Sequence, residues 1–195
     1  DEVVDLAYAT APQTSFADPI LDITANLPAS VGLLQEALAA RVRRVVLASS
    51  GGTVYGVARS LPITEDHPTK PISPYGITKL AIENYAWMYH ALSNLAVVVV
   101  RPANAYGEGQ RALSGQGFIA AAIHAVLARR PVELYGDGAV RDYIHVSDVA
   151  SGIEAALDNG EPGAAYNIGT GRGHSNRDIL GLLEPLAAAA GLPVA

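Results

Sequence analysis

The stretch Arg44-Val45-Val46-Leu47-Ala48-Ser49-Ser50-Gly51-Gly52-Thr53-Val54-Tyr55-Gly56 decides the fold. Its first part, Arg44 to Ser50, is β-rich and apolar with no polar alternation. A strand covered on both faces reads this way, and such strands belong to parallel sheets flanked by helices. Glycines and hydroxyls follow at once. Ligands bind at the carboxyl ends of strands in open α/β sheets. Paired glycines let the backbone approach a ligand closely, and the hydroxyls offer hydrogen bonds. The plain alternative is an ordinary turn.

Strand-like and helix-like segments alternate on either side, which predicts βαβ units. Val3 to Ala9 reads as a short strand. Asp18 caps a helix from Pro19 to about Arg41, and Pro28 is expected to kink or split it. Ser73 caps a second helix, with Pro74 at its first position, that runs to about Ser93. Leu95 to Arg101 is another buried strand. The texture changes after Pro102. Asn104 to Gly117 reads as a glycine-rich loop, Phe118 to Arg129 as a helix and Val132 to Tyr135 as a strand, followed by the turn Gly136-Asp137-Gly138. Asp142 to Val146 reads as a strand, and Ser147 caps a helix to about Asp158. Tyr166 to Ile168 is a strand, and Ser175 opens a last helix that Pro185 is placed to interrupt. The boundary falls near residue 105, with residues 1–105 forming the sheet-rich part and residues 106–195 mainly a smaller lobe that returns some segments to the sheet.

Composition narrows the function. The chain has 195 residues, half of them hydrophobic and 16% charged, enough for a sizeable core. Thirteen basic against nineteen acidic residues leave a net charge of -6, a poor match to a nucleic-acid backbone. Cysteine is absent, which excludes disulfides and thiolate chemistry and fits a cytoplasmic setting. No strictly apolar run exceeds Leu95 to Val100, far below the roughly 18 residues of a membrane span. His67, His90, His124, His145 and His174 are scattered without metal-ligand spacing, so no metal site is expected.

Tyr75 and Lys79 stand at i and i+4, on one face of the second helix. A nearby ammonium favours the phenolate, so the spacing predicts a Tyr with a lowered pKa, able to act as general base on a hydroxyl. The plain alternative is an amphipathic helix with a core Tyr and a snorkelling Lys.

Seven ordered blocks give these residues a context. They are Leu6-Ala7-Tyr8-Ala9, Asn26, Ser49 to Gly56, Ser73 to Lys79, Arg101-Pro102-Ala103-Asn104-Ala105-Tyr106-Gly107, Gly136-Asp137-Gly138 with Arg141 to Val146, and Tyr166-Asn167-Ile168-Gly169. In this order the chain resembles the extended short-chain dehydrogenase/reductase family, and within it the UDP-glucose 4-epimerase-like proteins. The resemblance implies an α/β fold with a Rossmann-like, doubly wound parallel sheet, truncated on its N-terminal side, and a smaller substrate-binding lobe. It makes Tyr75 the catalytic acid/base and Lys79 its partner on the nicotinamide ribose. It sets Ala7, Asn26, Ser49 and Pro102 against NAD, and Asn104, Arg141, Phe118 and Tyr135 against a nucleotide sugar, a UDP-hexose. A guanidinium fork suits phosphate oxygens, and a surface ion pair with Asp142 is the plain alternative for Arg141. The implied reaction is epimerisation: Tyr75 takes the proton of the sugar 4-hydroxyl as a hydride leaves C4 for NAD, and the hydride returns to the other face. A homodimer through the two long helices is also implied.

Two departures qualify the resemblance. The family's usual catalytic Ser or Thr position holds Gly51, so Ser50 or Thr53 is left to supply a hydroxyl. Gly51-Gly52 also lacks the acid that a 4,6-dehydratase needs. The phosphate-binding glycine motif expected after a first strand is absent from these residues, and a chain of these residues alone is expected to hold NAD weakly. Gly169-Thr170-Gly171-Arg172-Gly173 has the wrong spacing to replace it and reads as a loop at a sheet edge. A keto-sugar reductase and a non-catalytic nucleotide-sugar or dinucleotide-binding protein are the alternatives.

Overall fold

The computed structural model describes residues 1–111, 117–134 and 140–192. Two compact units emerge. One comprises Asp1–Ala103 with Val149–Ile168, and the other Asn104–Asp148 with Gly169–Ala195. The first unit ends at Ala103 and takes in the later stretch Val149–Ile168.

A four-stranded parallel sheet organises the first unit. Its strands are β1 (Glu2–Asp5), β2 (Arg44–Ala48), β3 (Val97–Pro102) and β6 (Ala165–Ile168), in the order β1-β2-β3-β6. Between β1 and β2 come α1 (Pro12–Ala17) and α2 (Pro19–Ala39), and α3 (Pro74–Ser93) joins β2 to β3. Alternate residues of each strand serve opposite faces. Val45, Leu47, Val97 and Val99 pack with Leu34 and Ala37 of α2 and Ile82 and Ala86 of α3. Val46, Val98 and Val100 face the other way and pack with Ala156, Ile153 and Leu157 of α5 (Val146–Asn159). Helices thus cover both faces, as the apolar reading of β2 requires, and the sheet is Rossmann-like and doubly wound.

The helix ends follow their capping residues. Asp18 accepts a hydrogen bond from the Leu21 amide, and Ser73 accepts one from the Gly76 amide, with a proline at the first helical position in both helices. Of the kink or split expected at Pro28, the split does not occur, since α2 runs unbroken through it. The missing N–H of Pro28 leaves the Thr24 carbonyl without its usual helical donor, and both residues are exposed, where solvent can satisfy that carbonyl. Pro185 lies equally unbroken inside α6 (Asn176–Ala189), where Gly181 and Pro185 are exposed.

The second unit has a small sheet of β4 (Asn104–Tyr106), β5 (Val140–His145) and β7 (Gly173–Ser175), parallel between β4 and β5 and antiparallel between β5 and β7. Here the sequence reading needs correction. Asn104–Tyr106 is a strand, because its backbone finds a distant partner in β5. Residues 132–134, read as part of a strand, form none; Tyr135 and the turn at 136–138 lie outside the described residues. The helix α4 (Phe118–Leu127) stands as expected. Ser147 is not a cap, since α5 begins at Val146, and its hydroxyl is instead 2.8 Å from Nδ1 of His145. Among the described residues, no helix is long and apolar enough to cross a membrane, and no cluster of metal-ligating side chains occurs.

Candidate functional site

The carboxyl ends of β1, β2 and β3 lie side by side, and most of the singled-out residues are there. Ala7 stands two residues after β1, with its amide donating to Asp5 Oδ1 at 3.0 Å. Ser49 follows β2, and its amide donates to the Val100 carbonyl at 2.7 Å. Pro102 ends β3, and its carbonyl accepts from the Gly51 amide at 2.9 Å. The backbone at Gly51 runs so close to β3 that a Cβ there would lie 2.8 Å from the Arg101 carbonyl oxygen. That is a steric reason for glycine at a position expected to hold a hydroxyl.

The first turns of α3 face the same edge. Lys79 is buried, and its Nζ donates to the Ala48 carbonyl at 2.8 Å. The helix face continues one turn on with Glu83, also buried, so Tyr75, Lys79 and Glu83 form a polar stripe at i, i+4 and i+8. Glu83 pairs with buried Arg101, Oε2 to a guanidinium nitrogen at 2.6 Å and Oε1 to Nε at 3.1 Å. Ser49 donates its hydroxyl to the same carboxylate. Arg101 donates further to the Tyr55 hydroxyl at 2.7 Å, which donates to Asn167 Oδ1 at 2.8 Å. Ser49 is thereby fixed from both its backbone and its side chain.

The acid/base expectation changes sign in one respect. Burial, and then the negative charge of Asp22, push the Tyr75 phenol up to about 12 rather than down. Spacing alone could not show how much water the phenol loses, and the Lys79 ammonium lies 5.8 Å from the centre of the Tyr75 ring. The same burial lowers Lys79 to about 8, against the opposing pull of Asp5, Glu83 and Asp22.

Asn26 is buried, and the chain itself uses its amide. Oδ1 accepts from the Ala9 amide at 2.7 Å, and Nδ2 donates to the Asp22 carbonyl at 2.8 Å and to Thr10 Oγ1 at 3.1 Å. It therefore shapes the turn after β1. Of the two candidate hydroxyls, Thr53 Oγ1 is buried and without a hydrogen-bond partner among the described residues. Ser50 caps the following turn through its carbonyl, which accepts from Thr53 and Val54.

The remaining candidates lie in the second unit. Asn104 opens β4 and stands opposite Tyr143 of β5. Phe118 begins α4 and lines a cleft of about 360 Å³ with Ala122, Arg130 and Val132. Arg141 is exposed and donates to its neighbour's carbonyl, Val140, at 3.1 Å. Asp142 is occupied elsewhere, accepting from the Thr170 amide and hydroxyl and from the Gly171 amide. This also disposes of the 169–173 loop as an anion cradle, since its amides already face a carboxylate.

The whole arrangement now has a counterpart among known proteins. Residues 1–169 match the NAD dependent epimerase/dehydratase family. The chain belongs to that family. It is 38% identical over 192 residues to UDP-glucose 4-epimerase of Mycolicibacterium smegmatis, covering 98% of this chain and 60% of that protein. The structure of Thermotoga maritima UDP-glucose 4-epimerase with UDP-glucose superposes with a TM-score of 0.93 at 32% identity, covering 99% of this chain and 63% of that one. That of Thermus thermophilus UDP-glucose 4-epimerase complexed with NAD gives 0.88 at 35% identity, covering 96% and 62%. The chain spans about three-fifths of the length of the curated relatives it matches.

Sequence reasoning gave no role to Tyr8, Ser15, Asp22, Glu83 or Arg101, although Tyr8 and Arg101 lie inside the quoted blocks. The Tyr75 amide donates to buried Ser15 Oγ at 3.2 Å, a contact across sixty positions that no local pattern reveals. Glu83 did have a signal, the third polar residue of a four-spaced stripe on α3.

Lys79 gives stability a pH dependence of definite sign. Between about pH 8 and its ordinary 10.5, the unfolded chain holds a proton that the folded one has released. Its contribution therefore rises with pH through that window. The midpoint of urea unfolding is expected to climb from pH 8 to about pH 9.5, and the climb should shrink in Lys79→Met, which fills the same space without a charge. Equal slopes in the two proteins would contradict this account of Lys79.

Proposed function

We propose that the protein acts as an NAD-dependent 4-epimerase of a nucleotide sugar, with Tyr75 as acid/base and Lys79 as its cationic partner. The observation that carries the reading is the half-buried Tyr75 with buried Lys79 one turn on, at the carboxyl edge of the parallel sheet beside Ala7, Ser49 and Pro102. Similarity to two UDP-glucose 4-epimerases, one solved with UDP-glucose and one with NAD, supports the choice of reaction and ligands.

The residues present fit a dinucleotide's ribose. The Lys79 ammonium has three donors and gives one to Ala48, so donors remain for ligand hydroxyls. The hydroxyl of Thr53 is a further polar group at this edge, without a hydrogen-bond partner among the described residues. NAD, when bound, supplies a hydride acceptor and donor together with a positive ring. Tyr75, Lys79, Ala7, Asn26, Ser49 and Pro102 are assigned to NAD, Asn26 through the turn it holds.

The chain's own part is proton movement and positioning. Tyr75 removes the proton from the sugar 4-hydroxyl and returns it after the configuration at C4 has inverted. A phenol held near 12 is almost wholly protonated at neutral pH, so its ionisation there needs positive charge brought close. Lys79, at about 8, still carries most of its charge at neutral pH. Thr53 is the better candidate than Ser50 for the hydroxyl that Gly51 lacks, because its oxygen is buried and unused. Asn104, Arg141, Phe118 and Tyr135 are assigned to the nucleotide sugar, with Arg141 free of Asp142 to meet a diphosphate.

We also propose a homodimer through α2 and α3. The two helices pack together and expose Ile20, Leu21 and Ile23 on one and Ile77, Tyr85 and Trp87 on the other. Sedimentation equilibrium is expected to give twice the chain mass, and Trp87→Glu to shift it to one. A wild-type monomer at micromolar concentration would overturn the dimer.

The complete protein with NAD and UDP-glucose is expected to form UDP-galactose with no net NADH. Tyr75→Phe should lower turnover by about two to four orders of magnitude while UDP-glucose binding persists. Stoichiometric oxidation of added NADH by a keto sugar would instead identify a reductase, and unchanged turnover in Tyr75→Phe would remove Tyr75 from the mechanism.

A further inference from the structure

The Lys79 ammonium is buried without a counter-ion. Among the described residues no carboxylate forms an ion pair with it, although Asp5 at the end of β1, Asp22 on α2 and Glu83 on α3 all bear on it electrostatically. Its polar partner is the Ala48 carbonyl at the end of β2. Its other close neighbour is the face of Tyr8, whose ring centre lies 3.9 Å from Nζ. The Tyr8 ring is itself held by an edge contact with Tyr75, with centres 4.8 Å apart and planes at 66°. The two tyrosines and the lysine thus form one cluster, and Tyr8 is the member to which the proposed mechanism gives no task.

An aromatic face is electron-rich and attracts a cation, the more strongly when the pair is desolvated. A buried ammonium without an ion-paired anion is stabilised in its charged form by such a surface. We propose that Tyr8 is a positioning residue: its ring face holds the Lys79 ammonium charged and in place beside Tyr75. The proposal rests on the reading of Tyr75 and Lys79 as the acid/base pair. Within it, Tyr8 determines how much positive charge stands near the phenol when its proton leaves. One Nζ donor serves Ala48 and the ring takes a second direction, which leaves the third for a ligand hydroxyl.

The ring and the hydroxyl of Tyr8 make different claims, and substitution separates them. Tyr8→Phe keeps the face and removes the hydroxyl. Tyr8→Leu keeps an apolar filling and removes the face. Lys79 can be followed directly through its Cε–Hε signal in the protein labelled with 13C-lysine, titrated from about pH 6 to 11 and assigned with Lys79→Met. The Lys79 midpoint is expected to stay nearly unchanged in Tyr8→Phe and to fall by about one pH unit in Tyr8→Leu. The limb of the turnover profile that follows Lys79 should move the same way. If Tyr8→Leu does not fold, pentafluorophenylalanine at position 8 gives the comparison, since it keeps the ring's shape and reverses the charge of its face.

An unchanged midpoint when the face is removed or reversed would overturn the proposal. An equal fall in Tyr8→Phe would also overturn it, by moving the effect to the hydroxyl. The titration needs no turnover, so a wild-type protein without epimerase activity would sink the functional reading and leave the Tyr8 result to be judged by itself.

Discussion

The buried pair of Glu83 and Arg101 is the contact on which the rest of the site depends. It joins α3 to β3 where the sheet ends, and each partner reaches further: Glu83 to the hydroxyl after β2, Arg101 to Tyr55 and through it to Asn167 on β6. One network therefore fixes three neighbouring strands and the helix that carries Tyr75 and Lys79. A buried ion pair adds little net stability compared with apolar packing, yet removing one partner costs about 3–5 kcal/mol because the other charge is left stranded. The pair is better understood as a constraint on geometry. It sets the distance from α3 to the sheet, and that distance lets Lys79 reach the Ala48 carbonyl.

Burial then determines the chemistry. The same desolvation that makes the network rigid raises the phenol of Tyr75 and lowers the ammonium of Lys79. Each neutral form gains, so the pair by itself leans towards an uncharged phenol beside a readily discharged lysine. Charge must be held or brought there for the base to form. In the proposed mechanism Tyr8 answers the first need, and a positively charged cofactor ring would answer the second. Gly51 fits the same crowding, since the backbone of β3 fills the space that a side chain would require.

Much of this was legible in the sequence. The unbroken apolar run of β2 and the Ser73-Pro74 start of α3 announced a doubly wound sheet and the helix carrying the Tyr75–Lys79 pair, because those signals are local. Failures arose where distant partners decide. Asn104–Tyr106 looked like loop until β5 supplied hydrogen bonds, and α1 had no periodic pattern to reveal it. Pro28 appeared to be a helix breaker because exposure of Thr24 cannot be seen in the chain's order. The sign of the Tyr75 shift was misread for the same reason: spacing shows the nearby lysine and conceals the lost water. Ser15, Asp22 and Tyr8 are brought to Tyr75 by the tertiary fold alone.

The central claim is that the same hydrogen leaves C4 of a nucleotide sugar and returns to it while Tyr75 handles only the proton. UDP-glucose carrying deuterium at C4 tests this most directly, incubated with the complete protein and NAD in ordinary water and followed by NMR and mass spectrometry. Retention of the deuterium at C4 of the UDP-galactose formed, with none appearing in solvent, is the expected result. Inversion accompanied by loss of the label to water would contradict the account.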